Sequence, residues 1–213
     1  MAGVQGQRPL AFSEMNKTDL IRLLERAVAE AQQGAIVHGD DVLAQLPSDP
    51  IPAAVLVPIV LGPAPGVLLT KRTPHLSRHP GQVCFPGGRI DPSDRDAEDA
   101  ALREAYEEIG LEPGCVQVLG RLADYITGTG YRITPVLGLL PSGLELHPAP
   151  EEVEAVFELP IDVLLDPAAP QRRMREWRGR LREYWVWPHP DHCIWGATAA
   201  ILVHLAQRLR ELA

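Results

Sequence analysis

Three glutamates, Glu104, Glu107 and Glu108, stand at positions i, i+3 and i+4 in a stretch, Asp96 to Ile109, whose composition is helical. At about 100° per residue they share an arc of roughly 100°, with Leu102, Ala105 and Ile109 turned away from it. Like charges at these offsets repel one another, and they crowd the C-terminal half of the helix, where the dipole disfavours anions. An amphipathic helix with a solvated acidic face explains the pattern. So does a site for a hard divalent cation such as Mg²⁺, which prefers carboxylate oxygens and water. The paired glycines upstream, Gly87 and Gly88, would let backbone approach the same spot closely.

The elements that must position these groups are visible in periodicity. Thr18 to Gln33 repeats apolar residues at three- and four-residue steps (Leu20, Leu23, Leu24, Ala27, Val28, Ala31), predicting an amphipathic helix that stops at Gly34. The β-branched run Ala53–Leu61, the turn-rich Gly62–Gly66 and Val67–Arg72 predict a hairpin. Thr73–Ile90 reads as a loop, and Gly110 closes the acidic helix. Val116–Ile126, Tyr131–Leu140, Val153–Phe157 and Leu181–Trp187 read as strands, and Cys193–Leu212 as a long final helix. Strands before, between and after helices predict an α/β fold with a mixed sheet between helical layers.

Composition bounds the rest. With 28 acidic against 20 basic residues the net charge is −8, which argues against a protein that coats nucleic acid or anionic lipid. Between Asp91 and Glu112 nine acids face two bases, so that segment alone carries −7 of the total. Eighteen of the twenty basic residues are Arg; this suits phosphate recognition and equally reflects genome composition. Cys84, Cys115 and Cys193 are odd in number and form no C-x-x-C pair, so neither a disulfide framework nor an ordinary zinc site is expected. The N-terminus lacks a signal-peptide pattern, and the longest apolar stretch, Pro52–Gly62, is too short to span a bilayer. These features predict a cytoplasmic protein without a membrane or nucleic-acid partner.

The segment from Gly88 to Leu111 resembles the Nudix box, G-x5-E-x7-R-E-U-x-E-E-x-G-U. Arg103-Glu104-Ala105-Tyr106-Glu107-Glu108-Ile109-Gly110-Leu111 matches its second half without a gap. Asp94 stands where Glu is usual, and eight residues separate it from Arg103 where the pattern has seven. Leu68-Leu69-Thr70-Lys71-Arg72-Thr73, Gly81, Phe85-Pro86-Gly87-Gly88 and Asp91 also resemble the signature of Nudix enzymes that cleave coenzyme A. That signature has Arg where this chain has Ser77, with Arg78 next to it. Ile194-Trp195-Gly196-Ala197-Thr198-Ala199 is similar to a segment of the same subfamily.

The resemblance implies an α/β/α Nudix sandwich over residues 51–213, preceded by an arm and helix in residues 1–50. It implies a metal-dependent diphosphatase that cuts coenzyme A or acyl-CoA to 3′,5′-ADP and 4′-phosphopantetheine. Glu104, Glu107 and Glu108, with the carbonyl of Gly87, would hold Mg²⁺ or Mn²⁺, and Arg103 would orient the glutamates. Arg72, Arg78, Phe85 and Gly88 would meet substrate, and Glu152 would serve as general base. Other Nudix activities remain open: hydrolysis of ADP-ribose, NADH or a dinucleoside polyphosphate, or a non-catalytic nucleotide- or RNA-binding module. Retention of all three box glutamates favours catalysis.

Weaker features have two readings each. Arg172, Arg173, Arg175, Arg178, Arg180 and Arg182 form a basic run that suits a phosphate clamp or a solvated surface. Trp177, Trp185 and Trp187 interleave with it, to stack on adenine or to line one buried strand face. His189, His192 and Cys193 suit a turn before the last helix better than a metal site.

Overall fold

The computed structural model describes residues 15–31, 36–38, 49–177 and 180–213. Its centre is β2 (Ile51–Leu61), which pairs in parallel with β8 (Tyr131–Pro141) along its whole length. Its other edge is shared: β5 (Gly87–Arg89) pairs with residues 53–55, and β3 (Gly66–Arg72) with residues 59–60. The Leu56 amide donates to Pro86 O on that edge, so the nitrogen of Pro58, two residues on, faces the gap between the two partners. A proline is tolerated there because no ladder needs its N–H. This splay leaves Gly87 and Gly88 lying against β2 as a separate short strand, within the segment that reads as loop from sequence.

The main sheet has nine strands in the order β1-β7-β8-β2-β3-β4, with β5 on β2, β6 on β8 and β9 on β3. Here β1 is Ile36–His38, β4 Val83–Cys84, β6 Gln117–Arg121, β7 Asp124–Ile126 and β9 Val153–Pro160. The β1–β7 and β2–β8 pairs are parallel and the others antiparallel, so the sheet is mixed. The expected single strand 116–126 is divided at Leu122 and Ala123 into β6 and β7, and a register shift between Val118 and Gly120 bends β6 itself.

Both faces of the sheet are covered, as the strand alternation requires. Ala54, Leu56 and Val60 of β2, with Val136 and Leu140 of β8, pack under α2 (Ala97–Ile109). Val57, Ile59, Leu137 and Leu139 face the opposite layer, made by α1 (Lys17–Ala29), α3 (Ile161–Leu165) and α4 (Gly196–Leu212). The α/β/α arrangement is therefore as expected. Arg208 of α4 bonds Glu30 just beyond α1, and Arg26 of α1 donates to the Leu212 carbonyl, tying the first helix to the last. Gly34 lies outside the described residues.

A second, antiparallel sheet joins β10 (Gln171–Trp177), β11 (Arg180–Trp187) and β12 (Ile194–Trp195). The arginine run thus supplies a strand that its charge conceals. Among the described residues, no helix is long and apolar enough to cross a membrane.

Candidate active site

The site is built where α2 crosses β5. Asp96 caps α2 by accepting from the Glu98 and Asp99 amides, and the buried alanines Ala97, Ala100, Ala101 and Ala105 let the helix sit close on the sheet. That closeness dictates both glycines. A Cβ on Gly87, whose φ is +156°, would stand 2.4 Å from the Ala54 carbonyl oxygen and 2.6 Å from Val55 Cα. A Cβ on Gly88 would stand 2.4 Å from the carboxyl carbon of Glu104. Gly88, expected to meet substrate, is first of all the seat of that carboxylate.

Arg103 is the hub. Its Nε and Nη2 grip Asp94 at 2.8 and 2.9 Å, a bidentate pair on a side chain only 3% exposed. Its Nη1 donates to Glu104 and to Glu107, at 3.0 Å each, and Nη2 also reaches the Arg89 carbonyl at 3.2 Å. Hydrogen bonds from Arg103 hold the Asp94 carboxyl below its usual pKa. Asp94 is therefore the partner of Arg103 despite its shorter side chain and the extra residue in the spacing. Glu104 is half-buried, and burial pushes its pKa up.

Of the three glutamates Glu108 lies deepest, at 3% exposure. It accepts from the Gly87 amide at 3.2 Å and from Arg72 Nη1 at 3.3 Å. Burial raises its pKa to about 7, against the pull of that amide and that guanidinium; Glu104 and Glu152 add repulsion. Glu152, half-exposed at the head of β9, comes within 3.9 Å of Arg72 Nη2. Its carbonyl accepts from the Thr73 amide, which fixes that loop beside the box.

Among the described residues, no three acidic, histidine or cysteine side chains form a ready-made metal cage. The single three-carboxylate face expected from helical spacing is divided by cations: Arg103 holds Glu104 and Glu107, while Arg72 and the Gly87 amide hold Glu108. The donor chemistry nevertheless suits a hard divalent ion. All the groups are carboxylate oxygens, two of them desolvated and raised in pKa, and a cation at this seat would relieve that penalty.

The sequence matches the family described as NUDIX domain over residues 50–181. It is 43% identical over 157 residues to the uncharacterized Nudix hydrolase NudL of Escherichia coli K12, covering 74% of this chain and 82% of that protein. It is 44% identical over 158 residues to the protein of the same description from Photorhabdus laumondii, covering 74% and 84%. The chain belongs to the Nudix hydrolase family.

This Nudix hydrolase is a pyrophosphatase acting on anhydride bonds, and a small nucleotide diphosphate is its class of substrate. Its fold is shared with a MutT/nudix family protein from Enterococcus faecalis, at 17% identity and a TM-score of 0.50 over 78% of this chain and 65% of that one.

Other expected residues fall in different places. Phe85 does not face the cleft: it is 2% exposed and packs in the core with Val83, so an apolar residue taken for a substrate contact is a structural one. Arg78 crosses to β8, where Nη1 donates to the Tyr131 hydroxyl at 2.9 Å. Arg89 Nη2 donates to the same oxygen at 3.1 Å, and hydrogen bonding from Arg89 lowers the Tyr131 pKa. Neither Arg89 nor Tyr131 carries a sequence signal; only the pairing of β5 and β8 with opposite edges of β2 brings them together.

In the arginine strand, Arg172 stacks 3.9 Å over the Trp185 ring and pairs with Glu183, so its charge is already engaged. Trp187 is fully buried, which leaves it unable to stack on a base, and Arg178 lies outside the described residues. His192 stacks on Phe157 at 3.9 Å, with His189 beside it, in the turn between β11 and β12. Cys84 contacts Thr70 at 3.2 Å, and burial pushes its thiol up to about 11, so it is a poor nucleophile.

Proposed function

We propose that this Nudix hydrolase cleaves the diphosphate of coenzyme A or an acyl-CoA, giving 3′,5′-ADP and 4′-phosphopantetheine. The observation that carries this reading is the position of Arg72. It closes the Leu68–Thr73 signature strand and lies against Glu108, so the CoA-type signature and the Nudix box meet in one cleft. In this account residues 51–213 form the Nudix unit, and α1 belongs to an N-terminal extension packed on α4.

Glu104, Glu107 and Glu108, with the Gly87 carbonyl, would hold Mg²⁺ or Mn²⁺. Such an ion, when bound, supplies charge neutralisation at the diphosphate oxygens and a more acidic water. Arg103, anchored by Asp94, keeps Glu104 and Glu107 together and touches no substrate. Arg72 places positive charge beside the diphosphate at the Glu108 end. Glu152, half-exposed and fixed through Thr73, accepts the proton of the attacking water. Water oxygen bonds to phosphorus, the bridging P–O bond breaks, and each product leaves as a phosphate monoester.

The test is to incubate the protein with CoA, ADP-ribose, NADH and a dinucleoside polyphosphate in Mg²⁺ or Mn²⁺ and to identify products by mass. Preferential conversion of CoA supports the assignment. Rapid cleavage of another diphosphate with CoA intact places the enzyme in a different Nudix activity.

A further inference from the structure

At the Glu104 end of the cleft two guanidiniums converge on one neutral oxygen. Arg78 Nη1 and Arg89 Nη2 lie 2.9 and 3.1 Å from the hydroxyl of Tyr131, and the Arg89 guanidinium also sits 5.6 Å from the centre of its ring. Among the described residues neither arginine has an ion-pair partner, although Arg26, Arg72, Arg95, Arg103, Arg121 and Arg132 each do. Two like charges held this close without a counter-charge are unfavourable. A phenol offers only lone pairs to offset that, so the arrangement is complementary to an anion.

Its place relative to the scissile bond follows from register. As α2 crosses β5, Glu108 meets Gly87, Glu104 meets Gly88, and Arg103 meets the carbonyl of Arg89. Arg72 therefore flanks the carboxylates on the α2 face of the sheet, whereas Arg89, paired with Ala53, and Tyr131, paired with Ile51, project from the opposite face beside the start of β2. A cleft of about 430 Å³, whose lining includes Ile51, Arg89, Ile90, Asp91, Arg103 and Glu104, connects the Glu104 carboxylate with Arg89. A substrate cut at the carboxylates would reach the arginine pair by passing the end of β2 through this cleft.

We infer that Arg78, Arg89 and Tyr131 form a clamp for a second, monoester phosphate of the substrate, which in coenzyme A is the 3′-phosphate of the ribose. This rests on the CoA assignment above and deepens it by naming what reads the nucleoside half. A monoester dianion matches two guanidinium forks, whereas a carboxylate or a neutral hydroxyl matches at most one. The Tyr131 oxygen serves both states. It accepts from both arginines when the clamp is free, and its O–H donates to a phosphate oxygen when the clamp is filled.

The experiment compares coenzyme A with 3′-dephospho-CoA, which lacks only that phosphate, as kcat/KM in the full chain. The wild type is expected to favour CoA by at least about tenfold. Arg89→Gln, Arg78→Gln and the double variant should collapse this ratio toward one, and Arg89→Lys should restore part of it. The ratio is the readout because a loss of fold or of catalytic geometry slows both substrates together and leaves it standing. Equal turnover of the two substrates by wild type, or a ratio that survives Arg89→Gln, overturns the clamp while leaving the diphosphatase assignment intact. Cleavage of neither substrate overturns the CoA assignment, and the clamp with it.

Discussion

A methyl group added at residue 88 would stand 2.4 Å from the Glu104 carboxyl carbon and 2.4 and 2.6 Å from its two oxygens. Ordinary contact begins near 3.4 Å, so in Gly88→Ala the carboxylate must retreat by about 1 Å. What it strikes is the far end of a flexible side chain, and Gly88 is not in the left-handed region, so the backbone has no reason to move. Replacing a strand glycine also stabilises the chain slightly, by roughly 0.4–1 kcal/mol, through the unfolded state. The fold should therefore survive, with a melting temperature within a few degrees of wild type. The retreating carboxylate loses its 3.0 Å bond to Arg103 and its station in the cleft. A displacement of that size costs on the order of 100-fold in kcat. The neighbouring Gly87→Ala is the control, because there the methyl meets the Ala54 oxygen and Val55 Cα, which are backbone atoms. It should lower the melting temperature sharply. Steady-state hydrolysis of CoA in Mg²⁺ and thermal denaturation, run on both variants, decide the matter. Wild-type kcat in Gly88→Ala, or unfolding of Gly88→Ala with Gly87→Ala intact, would refute the placement of Glu104.

Glu108 is raised in the fold from the ordinary 4.5 to about 7, so its stabilising share is complete below pH 4.5 and is lost as pH rises through 7. The metal-free protein should lose roughly 3 kcal/mol across that window. Added Mg²⁺ should raise the melting temperature more at pH 8 than at pH 5, and a flat pH profile with no metal effect contradicts this. Asp94→Ala strips Arg103 of its bidentate partner at a nearly buried position, which should cost about 2–4 kcal/mol of stability and at least tenfold in kcat. Denaturant titration and kinetics on the same sample report both. Glu152→Gln should lower kcat by about 10²- to 10⁴-fold with little change in KM and remove the acidic limb of the pH–rate profile; an unchanged profile places the base elsewhere.

Much of this site was legible because its signals are local. The acidic face of α2, its stop at Gly110 and the hairpin β2–β3 each follow from spacing within about twenty residues. Asp94 was harder to place, since only the conformation of a loop one residue longer than usual brings its carboxylate to Arg103. The glycine strand β5 has almost no strand propensity; its pairing is set by the splay of β2, which a linear pattern does not encode. Tyr131 and Arg89 are 42 residues apart and meet only because β8 and β5 flank the same strand. Phe85, named for its place in a signature, is 2% exposed and packs in the core, a burial that its neighbours in sequence do not reveal. The charge of β10 left a phosphate clamp and a solvated surface both open, and its pairing with β11 depends on cross-strand partners such as Glu183 and Trp185.

The most direct measurement is hydrolysis of CoA in H₂¹⁸O with Mg²⁺, with every product resolved by mass. The account predicts equal amounts of 3′,5′-ADP and 4′-phosphopantetheine, with a single ¹⁸O on one of the two newly formed phosphates and the 3′-phosphate and thiol untouched. Release of inorganic phosphate from the ribose, or intact CoA under conditions where another nucleotide diphosphate is cut, would contradict it.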